Sequence, residues 1–146
     1  MSDLLPGVGF GAVKLGASRT DVEAALGPSI EHNEIFNHPA HGVQVFYKKD
    51  KVDELTLFDA AYFAKAYGAP PIAAEQFASF AAKTADGIGI GSSEADVKRT
   101  FGAPPKTERV NNGTWLYYAP IGISIKVADG TVREIGVHKA KPPKKK

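Results

Sequence analysis

The sequence contains no cysteine, and this absence removes several classes of protein at once. Without thiols the chain has no disulfide framework, no thiolate zinc site, no iron–sulfur cluster and no cysteine nucleophile. Methionine and tryptophan occur once each, whereas glycine and proline occur 15 and 10 times. With 43% hydrophobic and 23% charged residues, the 146-residue chain has a globular composition rich in turn formers, and its length suits one ordinary domain or two very small ones.

Long hydrophobic runs are also missing. No window approaches the ~18 consecutive apolar residues of a transmembrane helix, so we expect no membrane span. The first ten residues, MSDLLPGVGF, contain an acid, a proline and two glycines but no basic residue ahead of an apolar stretch, unlike a secretory signal. Unless a leader has been removed, the sequence predicts a cytoplasmic protein.

Positive charge is scarce outside the C-terminal end of the sequence. The chain has 18 basic and 16 acidic residues, but residues 139–146 alone contain five lysines and no acid. The remainder has 13 basic against 16 acidic residues, which argues against a nucleic-acid-binding groove. We expect the lysine-rich end to be a disordered tail, with only a weak contact to anionic surfaces.

Two gapless blocks of sequence occur twice, in the same order. Residues 13–27 (VKLGASRTDVEAALG) match residues 88–102 (IGIGSSEADVKRTFG), and residues 41–58 (HGVQVFYKKDKVDELTLF) match residues 121–138 (IGISIKVADGTVREIGVH). The second match is offset by five more residues than the first, which predicts an insertion after Gly102. The matches divide the chain into an N-terminal repeat (1–62), a connecting helical segment (63–86), a C-terminal repeat (87–138) and the tail (139–146).

Each repeat predicts a short helix followed by antiparallel strands. Ser18 and Ser93 precede apolar residues at helical spacing and are N-cap candidates, and a glycine follows each predicted helix. The apolar period then changes to two, and Asn112-Gly113 and Asp129-Gly130 are typical of hairpin turns. The sequence therefore predicts an α+β fold in which the two repeats join their sheets into one concave sheet, with helices on the other face.

The segment between the repeats is rich in alanine. Phe77 and Phe80 lie three residues apart in it, which is a helical spacing. We expect a helix over residues 72–84 that packs its aromatic face on the sheet and forms a helix–loop–helix with residues 93–101.

The repeated strings GAVKLGASRTDVEAALGPS and GIGIGSSEADVKRTFGAPP resemble the turn and short helix of the β-lactamase-inhibitor-protein-like fold. That fold is shared by the secreted β-lactamase inhibitor protein and by small outer-membrane assembly lipoproteins of the SmpA/OmlA type. The tandem arrangement, over residues 6 to 138, is more similar to the inhibitor. The disulfides and signal peptide of the inhibitor, and the lipid-attached cysteine of the lipoproteins, are absent here. The resemblance implies a non-enzymatic bacterial protein-binding module, but not β-lactamase as its target.

Two motifs carry a weak suggestion of other chemistry. The glycines of residues 7–11 have no P-loop lysine, and residues 87–91 are equally glycine-rich, so both predict turns and not a nucleotide site. His32, Glu34, His38 and His41 could hold a divalent metal, but their spacing matches no known metal motif and favours a polar strand edge. We therefore expect no cofactor, no metal and no catalysis.

The aromatic strand TWLYY (114–118) is the main functional candidate. Alternation places Trp115 and Tyr117 on one face, and such residues supply much of the binding energy at protein interfaces. The leading hypothesis is a non-catalytic adaptor or inhibitor that binds a partner protein through the concave sheet. One alternative is an immunity protein that neutralises a toxin enzyme, and another is a small-ligand or metal-dependent enzyme using the His32–His41 segment. The predicted partner-binding residues are Trp115, Tyr117, Phe46, Lys126, Arg133 and Lys48.

Overall fold

Short strands joined by tight turns make up most of the chain. The computed structural model describes residues 3–66 and 76–141. Residue pairs 33–34, 49–50 and 129–130 have positive φ, the conformation of both central residues of a type I′ hairpin turn. The strands are β1 (Leu4–Leu5), β2 (Gly9–Phe10), β3 (Val13–Lys14), β4 (Ile30–His32), β5 (Ile35–His38), β6 (Val43–Lys48), β7 (Lys51–Phe58), β8 (Lys106–Val110), β9 (Gly113–Tyr118), β10 (Ile123–Ala128) and β11 (Thr131–Val137).

Eight of these strands form one antiparallel sheet in the order β4-β5-β6-β7-β11-β10-β9-β8. The two central strands, β7 and β11, pair from Glu134 opposite Phe58 to Val137 opposite Leu55. The short strands β1, β2 and β3 form a separate three-stranded sheet. This arrangement confirms the predicted α+β class with antiparallel sheets.

Helices α1 (Arg19–Leu26) and α3 (Glu94–Phe101) begin in the same way. The hydroxyl of Ser18 accepts a hydrogen bond from the Asp21 amide at 3.1 Å, and that of Ser93 accepts one from the Asp96 amide at 3.0 Å. These are the predicted N-caps, each of which satisfies an amide that has no partner within its helix. On the inner side of each helix, Val22 and Val97 are fully buried.

The hydrophobic core lies between these two helices and one face of the large sheet. Val22 and Val97 belong to the same cluster as the apolar residues of the central strands. Alternation along the strands sends every second side chain into this core, as the sequence pattern predicts, except at one register shift in each of the β6–β7 and β10–β11 pairs. The fully buried sheet residues are Val43, Val45, Leu55, Leu57, Leu116, Ile123, Ile125, Val132, Ile135 and Val137.

Glycine is required where the chain turns into β6 and β10. Two 3-10 turns, Pro39–His41 and Ala119–Ile121, precede these strands and end at Gly42 and Gly122, both in the left-handed conformation. A side chain at Gly42 would lie 2.5 Å from the amide nitrogen of Phe80, and one at Gly122 would lie 2.4 Å from the carbonyl oxygen of His138. Only glycine therefore allows such close approach of the neighbouring backbone.

The prediction of a helix over residues 72–84 is wrong for the part of that segment that the structure describes. Residues 77–84 contain no helix, and residues 72–75 lie outside the described residues. The amide of Phe80 donates to the carbonyl of Phe58, and the carbonyl of Lys83 accepts from the Leu4 amide, both at 2.9 Å. Because these backbone groups bond to distant segments, an extended chain satisfies them and the predicted helix–loop–helix does not form.

A helix forms earlier in the connecting segment. Helix α2 (Ala60–Ala66) packs at the end of β7, where the rings of Phe58 and Phe63 stack with centroids 4.6 Å apart. Phe77 contacts Phe63 edge-on at 5.2 Å, and the three rings form a second small core. Phe58 shares its strand face with Thr56, opposite to the buried Leu57. Helix α2 therefore covers part of the face that α1 and α3 leave open.

The five extra residues of the second half do not form one insertion after Gly102. The link from α3 to β8 is one residue longer than the link from α1 to β4, and β8 and β9 are each two residues longer than β4 and β5. The extra residues therefore mostly lengthen the β8–β9 hairpin that carries Trp115 and Tyr117.

Candidate protein-binding surface

One face of the large sheet is turned away from α1 and α3, and we call it the open face. Cross-strand pairing places one row of its residues side by side: Asn37 opposite Gln44, Gln44 opposite Thr56, Thr56 opposite Gly136, Gly136 opposite Ser124, and Ser124 opposite Tyr117. The next row continues through Glu134, Lys126 and Trp115. The face is thus polar in its centre and aromatic toward β9.

Trp115 and Tyr117 stack on each other along β9. Their ring centroids are 6.1 Å apart and their planes differ by 15°. The Lys106 ammonium lies 5.5 Å from the Tyr117 ring centre and the Lys126 ammonium 5.9 Å from that of Trp115. Cations over aromatic faces are attracted by the ring quadrupole, so both rings have a defined orientation before any partner binds.

The hydroxyl of Tyr117 donates a hydrogen bond of 2.6 Å to the Glu108 carboxylate on the neighbouring strand. Burial, this hydrogen bond and the nearby negative charge raise the pKa of Tyr117 to about 12. The phenol therefore stays protonated over the physiological range and acts as a hydrogen-bond donor that holds the ring in place.

Lys126 is on the open face, but helix α2 covers it. Its side chain is only 8% exposed, and its ammonium lies 5.0 Å from the Tyr62 ring centre as well as near Trp115. The Tyr62 hydroxyl donates to the Asn112 carbonyl at 2.6 Å, which ties α2 to the β8–β9 turn. Lys126 therefore supports the aromatic residues from beneath, and little of its charge faces solvent.

A shallow groove of about 330 Å³ lies next to the aromatic stack. Glu134 lies across the strand pair from Lys126, and burial raises the pKa of the Glu134 carboxyl, while the Lys126 charge opposes that shift. The groove thus offers an aromatic wall and acidic groups to a ligand. Its lining residues are Glu54, Thr56, Trp115, Tyr117, Ser124, Glu134, Gly136 and His138.

A serine and a histidine are hydrogen-bonded on the floor of this groove. The Ser124 hydroxyl oxygen lies 3.0 Å from Nε2 of His138, and Nδ1 of His138 lies 3.2 Å from the Lys139 carbonyl oxygen. Because a carbonyl only accepts, Nδ1 carries the hydrogen, and in the neutral ring Nε2 then accepts from the hydroxyl. Ser124 is 8% exposed and lies within a strand that is paired on both sides. The pair orders the groove floor.

Arg133 contributes to a different depression. Its guanidinium Nη1 donates to the Asp59 carboxylate at 3.1 Å, at the start of α2. The depression lies between α2 and the hairpin turns at 111–112 and 129–130, and Asp59, Tyr62 and Asn112 also line it. Arg133 is therefore separated from the aromatic stack by Tyr62 and Lys126.

The two predicted residues of the first half lie farther along the sheet. Phe46 is half-buried and lies opposite Glu54, which lines the groove. Lys48 is exposed at the end of β6, opposite Lys51. Of the six predicted residues, the structure places Trp115 and Tyr117 in the groove wall, Lys126 beneath them, and Phe46, Lys48 and Arg133 around this centre.

The His32–His41 segment does not converge on one point. His38 is 2% exposed and neither ring nitrogen has a hydrogen-bond partner, while His41 is exposed in the 3-10 turn. Burial first, and then the charge of His41, lower the pKa of His38 to about 4, which nearby Glu23 only partly counters. Within residues 3–66 and 76–141, no three histidine or carboxylate side chains are grouped to hold a metal ion.

The predicted set of partner-binding residues leaves out three residues of this surface. Glu134 and His138 lie on either side of Gly136 at a spacing of two, so the alternation of β11 could have placed both on the open face. Tyr62 has no such signal, because its position depends on α2 folding back over the sheet. The lysine-rich tail lies beyond residue 141 for the most part and so outside the described residues.

The fold defined by these elements is an α+β arrangement with a large antiparallel sheet, and it has a counterpart among solved structures. The crystal structure of a DUF4309 family protein, YjgB from Bacillus subtilis, superposes with a TM-score of 0.54 over 92% of this chain and 88% of that one, at 15% sequence identity. This likeness concerns the fold alone. No family model and no curated protein matches the sequence.

No helix within the described ranges is both long enough and apolar enough to cross a lipid bilayer.

Proposed function

We propose that this protein is a non-catalytic binding module of the cytoplasm, an adaptor or inhibitor that engages a partner protein through the open face. The observation that carries the proposal is the aromatic stack of Trp115 and Tyr117 beside the groove. Aromatic anchors at a partly exposed groove are typical centres of protein interfaces.

The order of the stack before binding supports this function. Lys126, Lys106 and Glu108 hold the two rings in place. A partner that covers rings already fixed in position pays less conformational entropy than one that must order mobile side chains. The mixed polar and aromatic surface around them suits a protein interface better than an apolar small-molecule pocket.

We also propose that the chain is a tandem repeat of the β-lactamase-inhibitor-protein-like type, with its sheet curved around the partner. Matching features in the two halves support a duplication. Ser18 and Ser93 cap corresponding helices, and Gly42 and Gly122 follow corresponding 3-10 turns. The lengthened β8–β9 hairpin then distinguishes the second half, and it carries the aromatic stack.

The backbone hydrogen bonds that β10 makes with both neighbouring strands around Ser124 support a non-catalytic role. A serine nucleophile needs amide donors that face the developing oxyanion. The strands on both sides of Ser124 are paired with β10, so their amides are used in the ladder. The Ser124–His138 pair then acts as a fixed polar contact for the partner.

Affinity capture from native lysate tests this proposal. We expect wild-type protein to retain a partner that Trp115→Ala loses and Lys126→Ala retains weakly, because Lys126 orders the rings. Arg99→Ala, an exposed change on α3 at the other face, is the matched control and should retain the partner fully. A partner that stays bound to both Trp115→Ala and Lys126→Ala would exclude this surface.

The identity of the captured partner distinguishes an immunity protein from an adaptor. It predicts that the partner is an enzyme, that the purified protein inhibits that enzyme, and that a toxin gene lies beside its own. A partner without enzymatic activity would leave the adaptor function.

A further inference from the structure

Three exposed, large apolar side chains lie together at one end of the molecule. Leu5, Val8 and Ile121 are 49%, 42% and 40% exposed. The Gly7 amide donates to the Gly122 carbonyl at 3.2 Å, which brings the β1–β2 turn against the 3-10 turn that contains Ile121. We call Leu5, Val8 and Ile121 the apolar tip. The remaining large apolar side chain of comparable exposure in the described ranges, Ile30, is on the edge strand β4.

The backbone beneath the apolar tip is held rigidly. The Val8 amide donates to the Leu5 carbonyl at 3.0 Å, and the Val8 carbonyl accepts from the Leu15 amide at 2.8 Å. A side chain at Gly7 would lie 2.9 Å from the Ile121 carbonyl oxygen, so the two turns are in close contact. These contacts place the β1–β2 turn directly against the 3-10 turn, so both turns contribute to the same surface.

Exposed lysines surround the apolar tip. Lys14 pairs with Gly9, and the Lys141 amide donates to the Ala119 carbonyl at 2.8 Å. Lys139 follows His138, whose amide donates to the Gly122 carbonyl. All three lysine side chains are exposed.

This concentration of positive charge is local. Besides these three lysines and the neighbouring Asp3, the residues that the structure describes include 12 basic and 14 acidic ones. The tip is therefore basic on a protein that is otherwise acidic. An acidic partner surface is favoured at this end of the molecule.

We infer that the apolar tip and its lysines dock the protein on the surface of an anionic lipid bilayer. The three apolar side chains enter the headgroup region while the lysine ammonium groups pair with lipid phosphates. Insertion of apolar surface and electrostatic attraction to anionic lipids both strengthen peripheral binding, and this end of the molecule offers both. The inference is independent of the partner proposed for the open face.

Co-sedimentation with vesicles tests the inference. We expect wild-type protein to bind vesicles of equal parts phosphatidylcholine and phosphatidylglycerol, and not vesicles of phosphatidylcholine alone. Lys139→Gln with Lys141→Gln should weaken binding roughly 25-fold, since each lysine near such a surface contributes about fivefold. Leu5→Ser with Ile121→Thr should weaken binding at least tenfold at unchanged charge.

Matched controls lie at other parts of the molecule. Ile30→Thr removes an equally exposed apolar side chain, and Lys65→Gln with Arg109→Gln removes two charges next to the 129–130 turn. Both controls should bind like wild type, and circular dichroism should show that every variant is folded.

Three results would overturn the inference. These are the absence of wild-type binding to the anionic vesicles, an equal loss of binding in the controls, and full binding by the Leu5 and Ile121 variant. The last result would mean that charge alone attracts the protein. Capture of an acidic protein through the tip, without any vesicle binding, would assign the surface to a protein partner instead.

Discussion

Nη1 of Arg133 lies 3.1 Å from Oδ2 of Asp59, which places an ion pair between the strand β11 of the second half and the helix that follows β7 of the first. The other oxygen of the same carboxylate accepts hydrogen bonds from the amides of Ala61 and Tyr62, at 2.9 and 3.3 Å. Asp59 therefore begins helix α2 and fixes it to the sheet at the same time. Through Tyr62, this contact also determines how deeply Lys126 is covered.

The two roles of Asp59 can be separated by substitution. Asp59→Ala removes the helix cap and the ion pair together and should lower the free energy of unfolding by about 2 kcal/mol. Asp59→Asn keeps an oxygen for the cap and should lose less than about 1 kcal/mol, because the ion pair is partly exposed. Urea denaturation followed by circular dichroism measures both. Equal losses in the two variants would contradict the capping role.

His38 should make the stability of the protein depend on pH. Its pKa is about 4 in the folded protein, against 6.5 for an unperturbed histidine, so between these pH values the unfolded chain binds a proton that the folded one does not. The contribution of His38 to the free energy of unfolding is complete above pH 6.5, falls as the pH drops toward 4, and is constant below pH 4. The loss should reach about 3 kcal/mol.

The measurement for His38 is the urea midpoint at several pH values between 7 and 4 in wild type and variants. His38→Leu should abolish most of the slope, since no proton is then taken up at this position. His32→Gln, a change at the sheet edge, is the control and should keep the wild-type slope. A slope that survives in His38→Leu would assign the pH dependence to other groups.

Gly122 and Gly130 provide a matched pair for testing close backbone approach. Both have a φ of +75°, but a side chain at Gly122 would lie 2.4 Å from the His138 carbonyl oxygen, whereas one at Gly130 would meet nothing within 4 Å. Gly130→Ala should therefore lose only about 1 kcal/mol, from the unfavourable backbone conformation. Gly122→Ala should lose about 3 kcal/mol or more, because the tip and β10 must separate. Thermal or urea unfolding compares the two, and similar losses would mean that the neighbouring backbone can shift.

Ser18 and Ser93 test the equivalence of the two halves. Each serine hydroxyl accepts from the amide three residues later, so Ser18→Ala and Ser93→Ala should each lower the free energy of unfolding by about 1 kcal/mol. The two helices do not share these contacts, so the double variant should lose about the sum. Denaturation curves with one cooperative transition would show that both halves unfold together. A loss confined to one variant would show that the caps differ in importance.

Local patterns predicted the elements whose structure depends on near neighbours. The caps at Ser18 and Ser93, the turn at Asp129-Gly130 and the core face of β10 all follow from residues within one or two turns of chain. The β8–β9 turn is at residues 111–112, one residue before the predicted Asn112-Gly113. The same alternation placed Trp115 and Tyr117 together on the face opposite Leu116.

Long-range contacts decided the elements that the sequence did not predict. Residues 77–84 have the alanine content of a helix, yet their amides and carbonyls bond to Phe58, Pro39 and Leu4. Tertiary contacts of this kind override helix propensity, which is worth less than about 1 kcal/mol per residue. The burial of Lys126 has the same origin, because α2 covers it only after the chain has folded back from the end of β7.

The position of β11 in the sheet has a consequence for how the chain can fold during synthesis. This strand follows the other ten in the sequence, yet it lies between β7 and β10 at the centre of the large sheet. A nascent chain that has left the ribosome only as far as Ala128 presents β7 and β10 as unpaired edges, and both remain open to wrong pairing. The two halves can join only when residue 137 has emerged, so the sheet is completed after translation of its last strand and not half by half.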